Sequence, residues 1–364
     1  MQTDSAAEVF ITATPDEALT AAGQAEVFFP AIRDVLRGQG ARILQERVFA
    51  TEEAFAELLP VRTAAYGDLD DGVPPVLLCV PAGAMGPLVG VQVHAVSCDD
   101  KPSVILSEGQ PRGRSIGVGG ARYIAFSGLV APEAGSASDQ ARSVFEKAAS
   151  ALRAAGGTML NVARTWLWLG DILAWYDDFN KVRNRFFQDS GLLNAERHER
   201  HLPASTGIGI GPAGGPRCAL DFIAVMGDGA AVECYRAAGM QQSAFNYGSA
   251  FSRVASATTP AGKTVYVSGT AAIDEAGKTC HVGDAAGQIA MTLANVRAAM
   301  RDMGCSDADV VHSIAYSKTP EIEALFRRQW ADLGWPCISA ISDVCRDDLL
   351  FEVEAAACPG AKSI

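Results

Sequence analysis

Two glutamates near the end of the chain interrupt an otherwise apolar stretch, LLFEVEAA, and are candidates for acid–base chemistry. Glu352 and Glu354 are two residues apart, so on a β-strand their side chains share one face. A carboxyl group that is partly buried keeps its proton near neutral pH and can then act as a general acid. An alternating strand could instead turn both side chains toward solvent, and the pattern leaves the two interpretations open.

The charge balance restricts what such an acid could act on. The 364 residues include 30 Lys and Arg against 42 Asp and Glu, which gives a formal net charge of -12. A broad basic surface for nucleic acid or anionic lipid is therefore not expected. An anionic ligand would have to meet a local cluster of cations.

Composition and cysteine usage predict a globular protein of two or three compact units. Hydrophobic residues make up 49% of the chain, which is enough for a large core. The nine cysteines never show a C-x-x-C spacing, so neither a zinc site nor a disulfide framework is predicted. The N-terminus lacks a basic region before an apolar one, and together these features favour a cytoplasmic location.

One long uncharged stretch, Val73 to Ser97, has the length of a membrane span, but its prolines and glycines argue against one. We predict two short strands instead, Val76–Val80 and Leu88–Val96, around a turn. His198 and His201 have the spacing of metal ligands on a helical turn, yet their charged neighbours favour a solvated surface segment.

An internal repeat organises the chain. Three stretches open with glutamine, continue with apolar residues at helical spacing, reach a glycine at the expected end of the helix, and continue as a strand and a second helical segment. The stretches are Gly23 to Leu58, Asp139 to Asn180 and Gly287 to Phe326, and their glycines are Gly40, Gly156 and Gly304. This pattern predicts three units of similar fold.

The strands that flank these helices repeat as well. QVHAVSC from Gln92 matches EVEAAAC from Glu352, and the middle copy starts at Asp221. The strands YIAFSGL and VYVSGTA both contain Ser-Gly near their ends, and the first unit shows no counterpart to them. We therefore predict units at residues 1–105, 115–228 and 262–364, the first of them truncated. Residues 229–261 belong to no repeat and are predicted to form an active-site insertion.

With these motifs in place, the sequence resembles a known fold. VYVSGTAAIDEAGK, followed by helix, strand, helix and a final FEVEAAA strand, resembles the RidA/YjgF imine-deaminase fold. That fold is a mixed sheet backed by two helices, and it trimerises with ligand clefts between neighbours. The resemblance implies an α/β protein with α+β-type mixed sheets, in which three units form a pseudo-trimer within one chain.

Nearly the full length of the chain is similar to the chorismatases, which split chorismate into pyruvate and a ring acid, although the N-terminal third contributes mainly through the repeat. The segments that carry this similarity are Arg164 to Phe187, Leu202 to Gly209, Phe251 to Val254 and Cys345 to Glu354. RidA deaminases hold their substrate with an arginine in a Pro-Ala-Arg motif. The corresponding triplets here begin at Pro75, Pro203 and Pro336 and contain no arginine, so ordinary imine deamination is not expected.

The resemblance also implies roles for individual residues. Glu352 would protonate the enolpyruvyl methylene of chorismate. Cys345 lies seven residues earlier, the spacing of the branch that forms 3-hydroxybenzoate, although a cysteine is often only a small buried hydrophobe. Because the planar fork of arginine matches a carboxylate, the substrate dianion should bind Arg253, Arg164 or Arg183, the last of which could equally be a solvated helix residue.

The remaining candidates would shape the pocket. Tyr176 could line the ring pocket or pack between units. Thr206 and Gly207 could donate hydrogen bonds, or the glycine could only relieve crowding at a unit interface. Val254 lies in the FSRV motif, where small residues in the family influence the choice of product.

The sequence therefore predicts a cofactor-free and metal-free chorismatase of secondary metabolism that forms pyruvate and 3-hydroxybenzoate, with some 4-hydroxybenzoate. The alternatives are a hydrolase that makes a dihydroxycyclohexadiene carboxylate, and a non-catalytic small-metabolite-binding protein. The expected partner is a small molecule, with no nucleic acid or membrane, and the chain should be a monomeric pseudo-trimer or a weak homo-oligomer. Gln92 and Asp221 stand where the third unit has Glu352, and neither is the same acid. Only one of the three clefts therefore needs to be active.

Overall fold

The computed structural model describes residues 1–3, 5–193 and 201–362, without the side chains of Asn246 and Tyr247. His198 lies outside these ranges. In the described residues the strands are β1 (Ala6–Ala13), β2 (Arg42–Ala50), β3 (Val76–Cys79), β4 (Leu88–Cys98), β5 (Ser103–Ser107), β6 (Gln110–Val118), β7 (Ala121–Val130), β8 (Val162–Leu169), β9 (Ala204–Ile208), β10 (Gly211–Pro212), β11 (Cys218–Met226), β12 (Val232–Tyr235), β13 (Val254–Thr259), β14 (Gly262–Ala271), β15 (Val310–Ser317), β16 (Cys337–Ile341) and β17 (Phe351–Ala357). The α-helices are α1 (Ala21–Gly38), α2 (Phe55–Tyr66), α3 (Ala137–Ala154), α4 (Ile172–Asp189), α5 (Ala285–Asp302) and α6 (Pro320–Gln329).

These strands form three mixed sheets that repeat one topology. Their strand orders are β1-β4-β2-β3-β10, β5-β6-β7-β11-β8-β9 and β12-β13-β14-β17-β15-β16. In every sheet the last long strand lies between the strand before the first helix and the strand after it. The strand that follows the second helix pairs in parallel with the strand that follows the first helix. The predicted mixed-sheet fold of three similar units is thereby confirmed.

The glutamine that opens each repeat ties the first helix to the start of the last strand. Gln24 and Gln288 each accept a hydrogen bond through their side-chain oxygen from a backbone N–H, that of Leu88 and that of Leu350. Gln140 accepts in the same way from the N–H of Arg217, just before β11. Each buried amide therefore satisfies backbone groups that the sheet leaves unpaired, which explains why the residue type recurs.

The predicted helix ends are also confirmed. Gly40, Gly156 and Gly304 follow the first helix of their units with φ values of 60°, 86° and 75°. These are left-handed conformations, which glycine adopts without a Cβ penalty.

The prediction that the first unit has no counterpart to the leading strands is wrong. Residues Ala6–Ala13 form β1, which pairs with β4 as β7 pairs with β11. The segment AAEVFITA lacks the Ser-Gly pair that marks the other two strands, so the sequence pattern missed it. The unit is nevertheless truncated, because in the described residues its sheet has no strand outside β1, whereas the other two sheets each have two more strands at that edge.

The outer strands of the other units come from segments between the repeats. β5 and β6 belong to the second sheet, so that sheet begins at Ser103. β12 and β13 belong to the third sheet, so both ends of the predicted insertion, residues 229–261, are part of that sheet, and residues 236–253 connect its first two strands. The stretch from Val73 to Ser97 contains β3 and β4, and no helix in the described ranges is long and apolar enough to cross a membrane.

Candidate active site

A cleft lies between the second and third units. It is lined by α4 and β9 of the second unit, by β14 and β17 of the third, and by segments before β13 and β17. Its volume is about 770 Å³, including the part open to solvent. Three arginines and one buried glutamate face this space, so the cleft suits a small anion that reacts with an acid.

The glutamate in the cleft is Glu352. It stands in β17 opposite Tyr316 of β15 and Ala271 of β14, and it is only 5% exposed. Burial raises the pKa of its carboxyl group to about 8, the charge of Glu354 acts in the same direction, and Arg253 and Arg164 oppose the change. In the described part of the chain no hydrogen bond or ion pair holds this carboxyl group. Glu352 is therefore a neutral acid at pH 7 with a proton to donate.

The glycine of the Ser-Gly pair makes room for this acid. A Cβ atom at Gly269 would overlap Oε1 of Glu352 and would lie 3.1 Å from the Thr206 methyl carbon. The Gly269 N–H donates to Oγ1 of Thr206 across the unit interface, at 3.0 Å. The pairing of β14 with β17 shifts register at this point, between Val267 and Thr270. The irregular strand thus creates the space in which the acid sits.

The neighbouring glutamate has a different environment. Glu354 accepts hydrogen bonds from Nη2 of Arg164 at 2.9 Å and from Nε1 of Trp166 at 2.7 Å. It lines a second cavity, between the three sheets, together with both donors. The structure therefore separates two residues that the sequence pattern could not distinguish.

Two of the three arginines predicted to bind an anion lie in the cleft. Nε of Arg253 donates to the carbonyl oxygen of Gln242 at 3.0 Å, and Nη2 of Arg183 donates to Oδ1 of Asn180 at 2.6 Å. The Phe251 ring lies beside both guanidinium groups, with centroid distances of 5.4 Å and 5.7 Å. These contacts hold two cations toward one space, as recognition of a dianion requires.

Three predicted binding residues do not line the cleft. Arg164 is turned away, because its Nη2 donates to Thr206 Oγ1 at 2.6 Å as well as to Glu354. Thr206 is buried and already accepts from Arg164 and Gly269. Val254 is 0% exposed and packs in the core of the third unit. A buried arginine on a strand pairs with the nearest buried acid, which here belongs to another unit.

Tyr176, Gly207 and Cys345 do line the cleft. Burial raises the pKa of the Tyr176 hydroxyl to about 12, and Ser249 hydrogen-bonds to it. Burial, together with the nearby Glu352, raises the pKa of the Cys345 thiol to about 12. Cys345 is therefore a neutral thiol beside the acid, and it can donate a hydrogen bond or a proton but is not a thiolate nucleophile at pH 7.

Sequence reasoning missed several residues of the cleft. Arg346 is a third cation there, and its Nη1 donates to the carbonyl oxygen of Gly277 at 2.8 Å. Ser205, Asn180 and Phe251 also line it. All four lie inside the segments that carry the family resemblance. These segments could therefore have indicated the region of the cleft, but they do not show which side chains face it.

The side chains at the corresponding positions in the other two units already make hydrogen bonds within the protein. Nε2 of Gln92 donates to the carbonyl oxygen of Ser313 at 2.9 Å. The Asp221 carboxylate is fully buried and accepts from Nε of Arg47, the N–H of Gly128 and Nε1 of Trp168. Of these three positions, only Glu352 lines the arginine-containing cleft between the second and third units. No cluster of three or more potential metal ligands occurs within the described residues.

Comparisons with known proteins place this geometry in context. Residues 243–358 match the family model described as Endoribonuclease L-PSP. The structure is similar over 98% of this chain and 100% of the other to a solved chorismatase, with a TM-score of 0.67 and 19% sequence identity. The YjgF gene product from E. coli matches 29% of this chain and 86% of its own, at 20% identity and a TM-score of 0.24. The comparison with curated protein sequences gives no match. The chain therefore has the chorismatase fold, which confirms the predicted resemblance.

Proposed function

We propose that the protein is a chorismatase that cleaves chorismate to pyruvate and 3-hydroxybenzoate, with Glu352 as the proton donor. The observation that carries the proposal is the neutral Glu352 in an arginine-lined cleft between two units. The shared fold supports the substrate class. The cytoplasmic location, the oligomeric state and a role in secondary metabolism remain predictions.

The proposed reaction follows from the charges in the cleft. Arg253 and Arg183 bind the carboxylates of the substrate, and Arg346 adds a third cation. Glu352 gives its proton to the enolpyruvyl methylene, which becomes a methyl group and leaves a cationic carbon bound to the ether oxygen. The ring hydroxyl of the substrate attacks that carbon and returns its proton to the Glu352 carboxylate, which gives a cyclic ketal. The neutral Cys345 thiol then gives a proton to the former hydroxyl oxygen as its bond to the ring breaks, and the hydrogen lost from the neighbouring ring carbon as the ring becomes aromatic restores the thiol. The remaining bond between the pyruvyl carbon and the other ring oxygen breaks last, and its products are pyruvate and 3-hydroxybenzoate. The carboxylate formed on Glu352 is stabilised by Arg253.

Incubation of the purified protein with chorismate tests the proposal, with pyruvate measured enzymatically and ring products separated by chromatography. We expect equimolar pyruvate and hydroxybenzoate, mostly the 3-isomer. Pyruvate with a dihydroxycyclohexadiene carboxylate would instead identify a hydrolase, in which water attacks the cationic carbon. Chorismate binding by calorimetry without pyruvate would identify a non-catalytic binding protein.

The rate should depend on pH as expected for a general acid. Because the Glu352 carboxyl group of the free protein is protonated below its pKa of about 8, kcat/KM should stay level below that pH and fall about tenfold per unit above it. Initial rates of pyruvate release at chorismate concentrations well below KM, from pH 6 to 10, provide the profile. A rate that rises through pH 8 would require a base instead.

Replacement of Cys345 by alanine should change the products more than the rate. Protonation by Glu352 does not require the thiol, so pyruvate release should stay within about tenfold of wild type, while the share of 3-hydroxybenzoate should fall. Chromatography of the ring products measures this share, and Cys280→Ala, at a cysteine outside the cleft, is the matched control. An unchanged product ratio would leave Cys345 with a packing role only.

A further inference from the structure

The two glutamates on β17 differ in their contacts with the second unit. Glu354 is 5% exposed and accepts two hydrogen bonds, both from β8 of the second unit. Glu352 lies on the same face of the same strand and has no such donor in the part of the chain that the structure describes. The Glu354 carboxylate is thus fixed by the Arg164 guanidinium and the Trp166 indole, whereas no comparable donor among the described residues fixes the Glu352 carboxyl group.

The indole that holds Glu354 is itself held by the first unit. The Arg47 guanidinium lies 3.9 Å from the Trp166 ring centroid, and Nε of Arg47 donates to Oδ2 of Asp221 at 3.0 Å. Asp221 is the residue that corresponds to Glu352 in the second unit. All three units therefore contribute to a buried series of contacts, from Asp221 through Arg47 and Trp166 to Glu354. Glu352 lies two residues before Glu354 on the same strand.

Several groups face Glu352, and their charges oppose one another. Arg253 and Arg164 favour its ionised form, while burial and the charge on Glu354 favour the protonated form and prevail. The neighbouring titratable groups Tyr316 on β15, Tyr176 on α4 and Cys345 before β17 are neutral near pH 7. The charged side chains that line the same cleft are Arg183, Arg346 and the exposed Asp177. Glu354 is thus the buried negative charge on the strand of Glu352 that acts against Arg253 and Arg164.

We propose that Glu354 is a positioning residue whose buried negative charge, fixed by Arg164 and Trp166, keeps the Glu352 carboxyl group protonated in the resting cleft. The proposal rests on the proposed function of Glu352 as the proton donor. It also gives Arg164 a role that a substrate ligand would not have, since this arginine acts through Glu354.

Replacement of Glu354 by glutamine tests this role, because the amide keeps the size of the side chain and an oxygen for Trp166. Without the neighbouring charge, Glu352 should lose its proton at lower pH, so the alkaline limb of the kcat/KM profile should move down by about one pH unit. Activity above pH 8 should fall about tenfold, while activity below pH 6 should stay near wild type. Glu354→Asp should return the limb toward its wild-type position.

A purely structural role would give a different result: kcat/KM would fall equally at every pH and the limb would not move, which would overturn the proposal. If Glu354→Gln does not fold, Glu354→Met removes the same charge in a side chain of similar length that brings no amide N–H toward Arg164 and Trp166, and it should shift the limb downward by a similar amount. An unmoved limb in the folded Glu354→Met protein would also overturn the proposal.

Carbon-13 NMR of glutamate carboxyl groups separates this inference from the proposed function. The Glu352 signal is assigned by its loss in Glu352→Gln, and its titration midpoint is then compared between wild type and Glu354→Gln. A lower midpoint in the variant supports the inference even if chorismate is not turned over, in which case the proposed function alone fails. Equal midpoints overturn the inference whatever the activity.

Discussion

Replacement of Glu352 by glutamine is expected to lower kcat for pyruvate release from chorismate by about 10²- to 10⁴-fold, the contribution of a general acid. Glutamine has no acidic proton to give to the enolpyruvyl methylene. It matches the neutral carboxyl group in shape and charge. Because the unfolded glutamate would lose its proton at pH 7 while the folded one keeps it, the acid destabilises the fold, and glutamine should raise the free energy of unfolding at pH 7 by up to about 3 kcal/mol. Steady-state kinetics and urea unfolding measure the two effects. Wild-type kcat in this variant would mean that another group donates the proton.

Asp221→Asn is the matched control, since Asp221 holds the corresponding position in the second unit. Its carboxylate is bonded to Arg47, Trp168 and Gly128, so loss of its charge leaves a buried arginine without its partner. We expect this variant to lose about 3 kcal/mol of stability but to keep kcat per folded molecule within about tenfold. The two substitutions should thus have opposite effects on stability and turnover. A large loss of kcat with unchanged stability in Asp221→Asn would contradict this assignment.

Gly269→Ala should have the second largest effect on catalysis. The new methyl group would occupy the position of Oε1 of Glu352, so the carboxyl group would have to move by about an ångström. A displacement of that size can lower the rate about 100-fold. The crowding should also cost about 1–3 kcal/mol of stability, because Thr206 limits the movement on the other side. Kinetics with chorismate and thermal unfolding measure both.

Gly38→Ala is the control for the change of glycine to alanine. A Cβ atom at Gly38, on α1, would meet no other atom within 4 Å. Its kcat should equal that of wild type. If Gly269→Ala also retains wild-type kcat while folded, the rate does not depend on where β14 holds the Glu352 carboxyl group.

Much of the fold could be predicted from the sequence because the repeat is carried by local signals. Gln24 and its counterparts accept a hydrogen bond from the backbone at the start of the last strand of their own unit, and Gly40 and its counterparts end the first helix of that unit. β1 could not be found in this way, since its segment has no Ser-Gly pair and is defined only by its pairing with β4. The outer strands from residues 103–118 were missed for the same reason.

The candidate site was predictable in its motifs and less so in its individual side chains. Glu352 and Glu354 differ only through contacts with another unit, which period-2 alternation along one strand does not reveal. Arg164 was expected to bind substrate because of its residue type, but a buried acid nearly 200 positions away in the chain takes it. Val254 and Arg253 are adjacent, and which of them faces the cleft is decided by the pairing of β13.

The most direct test of the account is a crystal structure of Glu352→Gln with unreacted chorismate. We expect the substrate in the cleft between the second and third units, with its carboxylates on Arg253 and Arg183. The enolpyruvyl methylene carbon should lie about 3–3.5 Å from the side-chain amide of residue 352, as proton transfer to that carbon requires. Chorismate bound in this cleft with the methylene turned away from residue 352, or bound at another site, would contradict the assignment of Glu352 as the acid.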